Sequence, residues 1–300
     1  VRRSPARWVA PVLIAVALPI ATAGTAAADP DQGSVQRYVA LGDSYAAGPL
    51  VPIPTGEPAG CLRSDHNYPS VVAQSLGVAG FRDVSCSAAT TENITGPQSV
   101  PLGTNPPQLD ALTTDTQLVT ISIGGNDVGF GDIVTECSTR SPTQPTGSAC
   151  KDHYTAGGTD ELAQRIDEAA PEIAAVLDAI DERSPDAQVL LVGYPAILPD
   201  EGPGCFPVVP FSPGDVEYLR GVEKALNAML ADQASAAGMD FVDTYTPSIG
   251  HDSCQLPGTK WVEGLVPTSP AAPVHPNAQG MKAIGGIVAD AVGGASRAAA

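Results

Sequence analysis

Basic residues are scarce in this chain. Fifteen Lys and Arg stand against 33 Asp and Glu in 300 residues, a formal net charge of −18. So acidic a surface repels nucleic acid and anionic membranes, which argues against a nucleic-acid partner. Aromatic residues make up only 5%, few platforms for stacking sugars. Histidine occurs at 66, 153, 251 and 275 alone, with no companions at ligand spacing, so neither a metal nor another cofactor is expected. No GxGxxG or GxxxxGKS/T loop is present, which removes the usual nucleotide cradles. A GxSxG elbow is missing too, which argues against the α/β-hydrolase fold. After residue 28 no run is long and apolar enough to insert stably in a bilayer.

The first 28 residues read as an export signal. Arg2, Arg3 and Arg7 make a basic start, Val9 to Ala23 an apolar stretch, and Ala26-Ala27-Ala28 a small-residue cleavage site. No cysteine follows that site, which argues against a lipid anchor. The three arginines leave with the signal, taking the charge from −18 to −21. Six cysteines at 61, 86, 137, 150, 205 and 254 form no CxxC pair, and an exported chain favours disulfides. Fifteen connectivities are open. Pairing neighbours (Cys61–Cys86, Cys137–Cys150, Cys205–Cys254) is preferred, because each closes a loop beside a strand end without crossing. The expected product is a secreted, soluble monomer, with a short leader at 29–36 and one domain at 37–295.

Strands are expected at 37–41, 81–86, 117–123, 188–193 and 239–243. The third and fourth are almost continuously apolar, as strands covered on both faces are. A helical stripe runs over 161–183, where Pro171 predicts a kink or two consecutive helices. Ser212-Pro213-Gly214-Asp215 reads as a helix start, leading a stripe through Val216, Leu219, Val222, Leu226, Met229 and Leu230. A last helix is expected to open at Pro276. Strands alternating with helices argue for an α/β fold with a parallel sheet. Long Pro-, Gly- and Thr-rich connections at 46–65, 92–108, 138–158 and 194–212 are natural cleft walls.

Chemistry-bearing residues fall at the ends of these strands, where an open parallel sheet binds its ligands. Ser44 follows the first, on a turn that exposes its hydroxyl, and needs a base to become a nucleophile. His275, in a Pro-flanked loop before the last helix, is the candidate base. Asn126, after the third strand, can donate its side-chain amide to a developing oxyanion, with the backbone N–H groups of Ser44 and Ala88. Asp43 and Asp127 read as loop-fixing acids, and His251 as a rim residue. Tyr45 and Leu50 are candidate pocket or core residues.

Taken together, GDS at 42–44, GGND at 124–127, HPNAQG at 275–280 and six cysteines in three successive pairs resemble the SGNH (GDSL) hydrolase family. CLRS at 61–64, GYP at 193–195 and GHDSC at 250–254 look like its secreted actinobacterial three-disulfide lipases and esterases. The resemblance implies a three-layer α/β/α sandwich with a five-stranded parallel, flavodoxin-like sheet. It implies Ser44 as nucleophile, His275 as base and acid, and Asn126 with the Ser44 and Ala88 amides as oxyanion hole. Two positions depart from the family. Its second block commonly has glycine where this chain has Ala88, which still serves if φ stays negative. Many members carry Asp three residues before the histidine, whereas this chain has Ala272, and its carbonyl is the expected partner of the imidazole N–H.

The implied activity is hydrolysis of carboxylic acyl esters through an acyl-enzyme, on a small-molecule or lipid ester. Two alternatives stand beside it: deacetylation of O-acetylated polysaccharide, and a non-catalytic binding protein on the same scaffold.

Overall fold

The computed structural model describes residues 35–298 together with residues 1, 2 and 4. The export signal expected at 1–28 and most of the leader at 29–36 therefore lie outside the described residues. The fold belongs to the unit Ser34–Ala300.

Five strands form one parallel sheet: β1 (Arg37–Gly42), β2 (Gly80–Asp83), β5 (Leu118–Ser122), β6 (Gln188–Val192) and β7 (Asp240–Val242), in the order β2-β1-β5-β6-β7. Counting sheet strands alone, this is the flavodoxin-like order, with its switch point between β1 and the strand that continues the sheet, β5. Strands β3 (Gln98–Val100) and β4 (Gly103–Asn105) make a separate antiparallel hairpin.

Alternate side chains of each strand point to opposite faces, and both faces are covered. Val39, Leu41, Val119, Ile121, Val189 and Leu191 pack under α6 (Glu161–Arg183) and α7 (Pro213–Ala236). Tyr38, Ala40, Leu118, Leu190, Val192 and Val242 pack under α2 (Tyr68–Leu76) and α9 (Ala278–Ala298). The result is a three-layer α/β/α sandwich. Asp160 starts α6 by accepting from the Leu162 and Ala163 amides at 3.0 and 3.2 Å.

Several expectations need correction. Pro171 lies inside one helix, so the alternative of two consecutive helices falls; the apolar stripe of Leu162, Ile166, Ala169, Ile173, Val176, Leu177 and Ile180 is buried along its whole length, and that packing outweighs the one backbone bond proline removes. The last helix opens at Ala278 rather than Pro276, because the Asn277 side chain accepts from the Gln279 and Gly280 amides, both at 3.0 Å. The connection at 92–108 contains most of α3 (Thr91–Thr95) and the hairpin. That at 138–158 holds the end of α4 (Phe130–Arg140) and α5 (Ala149–Tyr154). Asp215 docks α5 onto the start of α7 by accepting from the Cys150 and Lys151 amides at 3.0 and 2.9 Å.

The disulfides are Cys61–Cys86, Cys137–Cys150 and Cys205–Cys254. The first fastens the loop after α1 (Ser44–Ala47) to the chain leaving β2, beside the sheet edge where the candidate residues gather.

Candidate active site

Three strand ends meet at the switch point. β1 ends at Gly42, which has φ +134°, and a Cβ there would stand 2.5 Å from the Ser122 carbonyl oxygen of β5; only glycine fits this approach. Its backbone is also bracketed by the buried Gln108 amide, which accepts from Gly42 N at 2.7 Å and donates to Gly42 O at 3.0 Å. The Cys86 amide donates to Gly42 O at 2.9 Å, and the Asp43 amide to Ser122 O at 2.9 Å. The blocks after β1, β2 and β5 are thus joined by backbone bonds.

Asp43 caps the short helix α1, accepting from the Tyr45 amide at 2.8 Å, and so holds Ser44 at the helix start. Its second carboxylate oxygen accepts from the Tyr194 hydroxyl at 2.6 Å, and that hydroxyl accepts from the Gly125 amide at 2.9 Å. Burial pushes the Asp43 carboxyl up to about 7, against the bonds from Tyr194 and Tyr45. Asp43 is therefore a scaffold acid tying the serine turn to the GGND turn. Asp127 does similar work, accepting from the Thr91 amide and hydroxyl at 2.9 and 2.7 Å.

His275 reaches Ser44 from the far end of the chain. Its Nε2 lies 2.8 Å from Ser44 Oγ, and its Nδ1 lies 2.7 Å from the Pro273 carbonyl oxygen. A carbonyl only accepts, so Nδ1 carries the proton and the Nε2 lone pair faces the serine hydroxyl. The orienting carbonyl is thus Pro273 and not Ala272, which is a correction. Val274, at φ +60°, turns the chain so that the carbonyl two residues before the histidine faces the ring. The Ala272 carbonyl instead accepts from the His275 backbone amide at 3.2 Å.

The histidine loop is fixed from below. Tyr45 donates its hydroxyl to the Val274 carbonyl at 2.7 Å, and its ring lies 5.0 Å from the imidazole, centroid to centroid. The Glu263 amide donates to the His275 carbonyl at 3.0 Å. Burial acts to raise the Glu263 carboxyl, but bonds from Asn277, Thr268 and Lys260 outweigh it and hold it below the ordinary range. Burial in turn lowers the His275 imidazole below its ordinary value, partly opposed by the Pro273 carbonyl.

Asn126 donates one amide hydrogen to the Ala89 carbonyl at 2.8 Å. That bond fixes the orientation of the amide and leaves its second hydrogen for a ligand. Ala88 lies at φ +64°, the left-handed conformation that explains why the family favours glycine here. The condition of a negative φ set on Ala88 is therefore not met: the alanine adopts the conformation a glycine would, keeps its backbone N–H in place as a donor, and carries the strain of that region. Replacing Ala88 with Gly is expected to raise stability by ~0.5–1 kcal/mol once glycine's greater unfolded-state freedom is set against the relief, read as a Tm about 1–4 °C higher. A lower Tm would contradict this reading.

The other candidates lie apart. His251 stacks on Trp261 at 4.3 Å between centroids, with Nδ1 2.6 Å from the Thr259 carbonyl. His66 contacts Asp65, and His153 sits against Tyr154. Among the described residues, no group of three or more His, Cys, Asp or Glu side chains could hold a metal ion. Tyr45 lines the cavity beside Ser44, whereas Leu50 is exposed and does not. Sequence reasoning missed Pro273, Gln108 and Tyr194. Tyr194 stood in the GYP block directly after a strand, which was its only signal.

The cavity beside Ser44 encloses about 780 Å³ including its open mouth. Asn126 and Gly125 border it, and Val128, Phe130, Ile133, Leu198, Phe211 and Leu226 make much of its wall. A hydroxyl paired with an imidazole on the wall of an apolar cavity suits acyl transfer. The family model for GDSL-like lipases and acylhydrolases matches residues 40–283. This chain belongs to that family. It is 40% identical to Lipase 2 of Streptomyces coelicolor over 279 residues, 91% of each chain. The solved structure of an extracellular lipase from Streptomyces rimosus superposes with a TM-score of 0.69 at 30% identity, covering 85% of this chain and 97% of that one. Phospholipase A1 from Streptomyces albidoflavus gives the same TM-score at 25% identity, covering 85% and 98%. The GDSL protein described here is accordingly an enzyme, a hydrolase of the lipase and esterase type.

Proposed function

We propose that this enzyme hydrolyses acyl esters through an acyl-enzyme on Ser44. The observation that carries the reading is the 2.8 Å contact between Ser44 Oγ and His275 Nε2 beside an apolar cavity that Ser44 lines. Ser44 Oγ attacks the ester carbonyl carbon as its proton passes to His275 Nε2. The negative charge on the carbonyl oxygen is met by the free Asn126 amide hydrogen and the backbone N–H groups of Ser44 and Ala88. His275 then protonates the leaving alcohol. Water, deprotonated by the same nitrogen, releases the carboxylic acid and restores the serine. Pro273 keeps the imidazole in the required tautomer throughout. A carbonyl stabilises imidazolium less than an Asp would, and here the Pro273 carbonyl only partly opposes the lowering that burial causes.

The apolar wall supports alkyl acyl groups longer than acetyl as substrates, ahead of O-acetylated polysaccharide. We place the mature enzyme outside the cell, on the export signal expected at 1–28, the three disulfides and the acidic charge. A p-nitrophenyl ester series from acetate to palmitate tests the substrate class. The expected kcat/KM rises from acetate to a longer chain, and a maximum at acetate would favour the deacetylase reading.

The pH dependence follows from the base. Neutral imidazole is the active form, and a lowered value keeps it neutral to lower pH. The acid limb of kcat/KM is therefore expected to have its midpoint below the unperturbed ~6.5. A midpoint above that value would contradict the assignment of Nε2 as a desolvated base.

A further inference from the structure

One ionisable group stands on the cavity wall without a catalytic task. Leu219, Val222, Glu223 and Leu226 line the cavity from α7, and their spacing of three, four and seven puts them on one face of that helix. Three are apolar and the fourth is a carboxylic acid. Among the described residues no cation pairs with Glu223; its neighbour Lys224 is engaged by Asp200 at 2.5 Å. The one recorded hydrogen-bond donor is the Ile197 amide, at 3.1 and 3.3 Å from the two oxygens. A carboxyl group has roughly four acceptor sites, so one shared amide leaves most of them for the cavity. Burial pushes the Glu223 carboxyl well up, with the Ile197 bond and Lys224 acting against it.

We propose that Glu223 is a specificity-determining residue of the acyl pocket: its carboxyl disfavours plain alkyl chains long enough to lie against it, and so limits the acyl length the enzyme accepts. The proposal rests on the acyl-ester reading above. An alkyl chain laid over Glu223 strips water from the carboxyl and offers no hydrogen bond in return, which is costly. Short acyl groups that end before α7 do not cover the carboxyl. The stripe would be fully apolar with Leu at 223. The Ile197 bond gives Glu223 a structural part as well, fastening the 194–212 loop to α7. A test must separate the two.

Glu223→Leu removes the carboxyl and continues the apolar stripe, whereas Glu223→Gln keeps an oxygen for the Ile197 amide and removes only the acid. The readout is the ratio of kcat/KM on p-nitrophenyl dodecanoate to that on the butyrate, measured within each variant. Loss of fold or of active fraction cancels from such a ratio. Glu223→Leu is expected to raise it about tenfold, the scale set by leaving one polar group unpaired. Glu223→Gln should raise it less, because an amide is still polar but, unlike a carboxylate, carries no charge to desolvate. An unchanged ratio in a Glu223→Leu protein that still turns over butyrate overturns the proposal, and so does a fall. If Glu223→Leu does not fold, an unchanged or lower ratio in Glu223→Gln overturns it equally. Failure of the wild-type enzyme on every ester would overturn the acyl-ester reading itself, a result distinct from wild-type turnover with a flat ratio.

Discussion

Ser44→Ala and His275→Ala are each expected to lower kcat by a factor on the order of 10⁴–10⁶, with the double variant little worse than either. The two groups act as one unit. Without the Ser44 hydroxyl there is no nucleophile for the acyl-enzyme, and without His275 Nε2, 2.8 Å away, the hydroxyl keeps its proton. The apolar cavity and the oxyanion donors remain in both single variants, so a small residual rate over water should persist and KM should change little. Neither substitution disturbs the core: the turn is held by Asp43 and Gln108, and the histidine loop by Tyr45 and Glu263. Steady-state kinetics on a short-chain ester, with Tm as control, decides the matter. A His275→Ala protein within tenfold of wild type would remove the dyad, and additive losses in the double variant would mean that the two residues work separately.

Asn126→Ala should cost kcat a factor of about 10²–10³ and leave KM nearly unchanged, the scale of losing one oxyanion donor. The size of the effect comes from the way the amide is held. One of its hydrogens is committed to the Ala89 carbonyl at 2.8 Å, so the other has a defined direction before substrate arrives. Such a donor loses no orientational freedom as charge develops on the carbonyl oxygen. Asn126→Asp should be at least as damaging, because it replaces the donor with a negative charge beside the oxyanion. Removing the Ala89 tie also loosens the turn, and the Tm of Asn126→Ala measures that part. A loss that falls mainly on KM would make Asn126 a substrate-binding residue instead.

The fold was legible in the sequence because its strands sit in a parallel sheet covered on both faces. β5 and β6 must then be almost continuously apolar, and LVTIS and QVLLV nearly are. Catalytic candidates were legible for a related reason: the topology delivers whatever follows β1 and β5 to one edge. Pro273 was not, since which carbonyl meets the imidazole depends on the positive φ of Val274, and nothing in the side chain of a valine announces that conformation. Tyr194 and Gln108 escaped notice because each acts across 151 and 66 residues of chain on Asp43 and Gly42, contacts that only the folded sheet creates. Glu223 left a faint mark, an acid within an apolar stripe, which reads as a chance interruption until the cavity beside it is seen.

Every catalytic role proposed here requires Ser44 to be an activated nucleophile. Intact-mass analysis after treatment with a serine-directed fluorophosphonate, followed by peptide mapping, measures that property without assuming a substrate. One adduct per chain, located on Ser44 and formed far more slowly in His275→Ala, is the predicted result. An unmodified wild-type protein, or an adduct on any other residue, would contradict it.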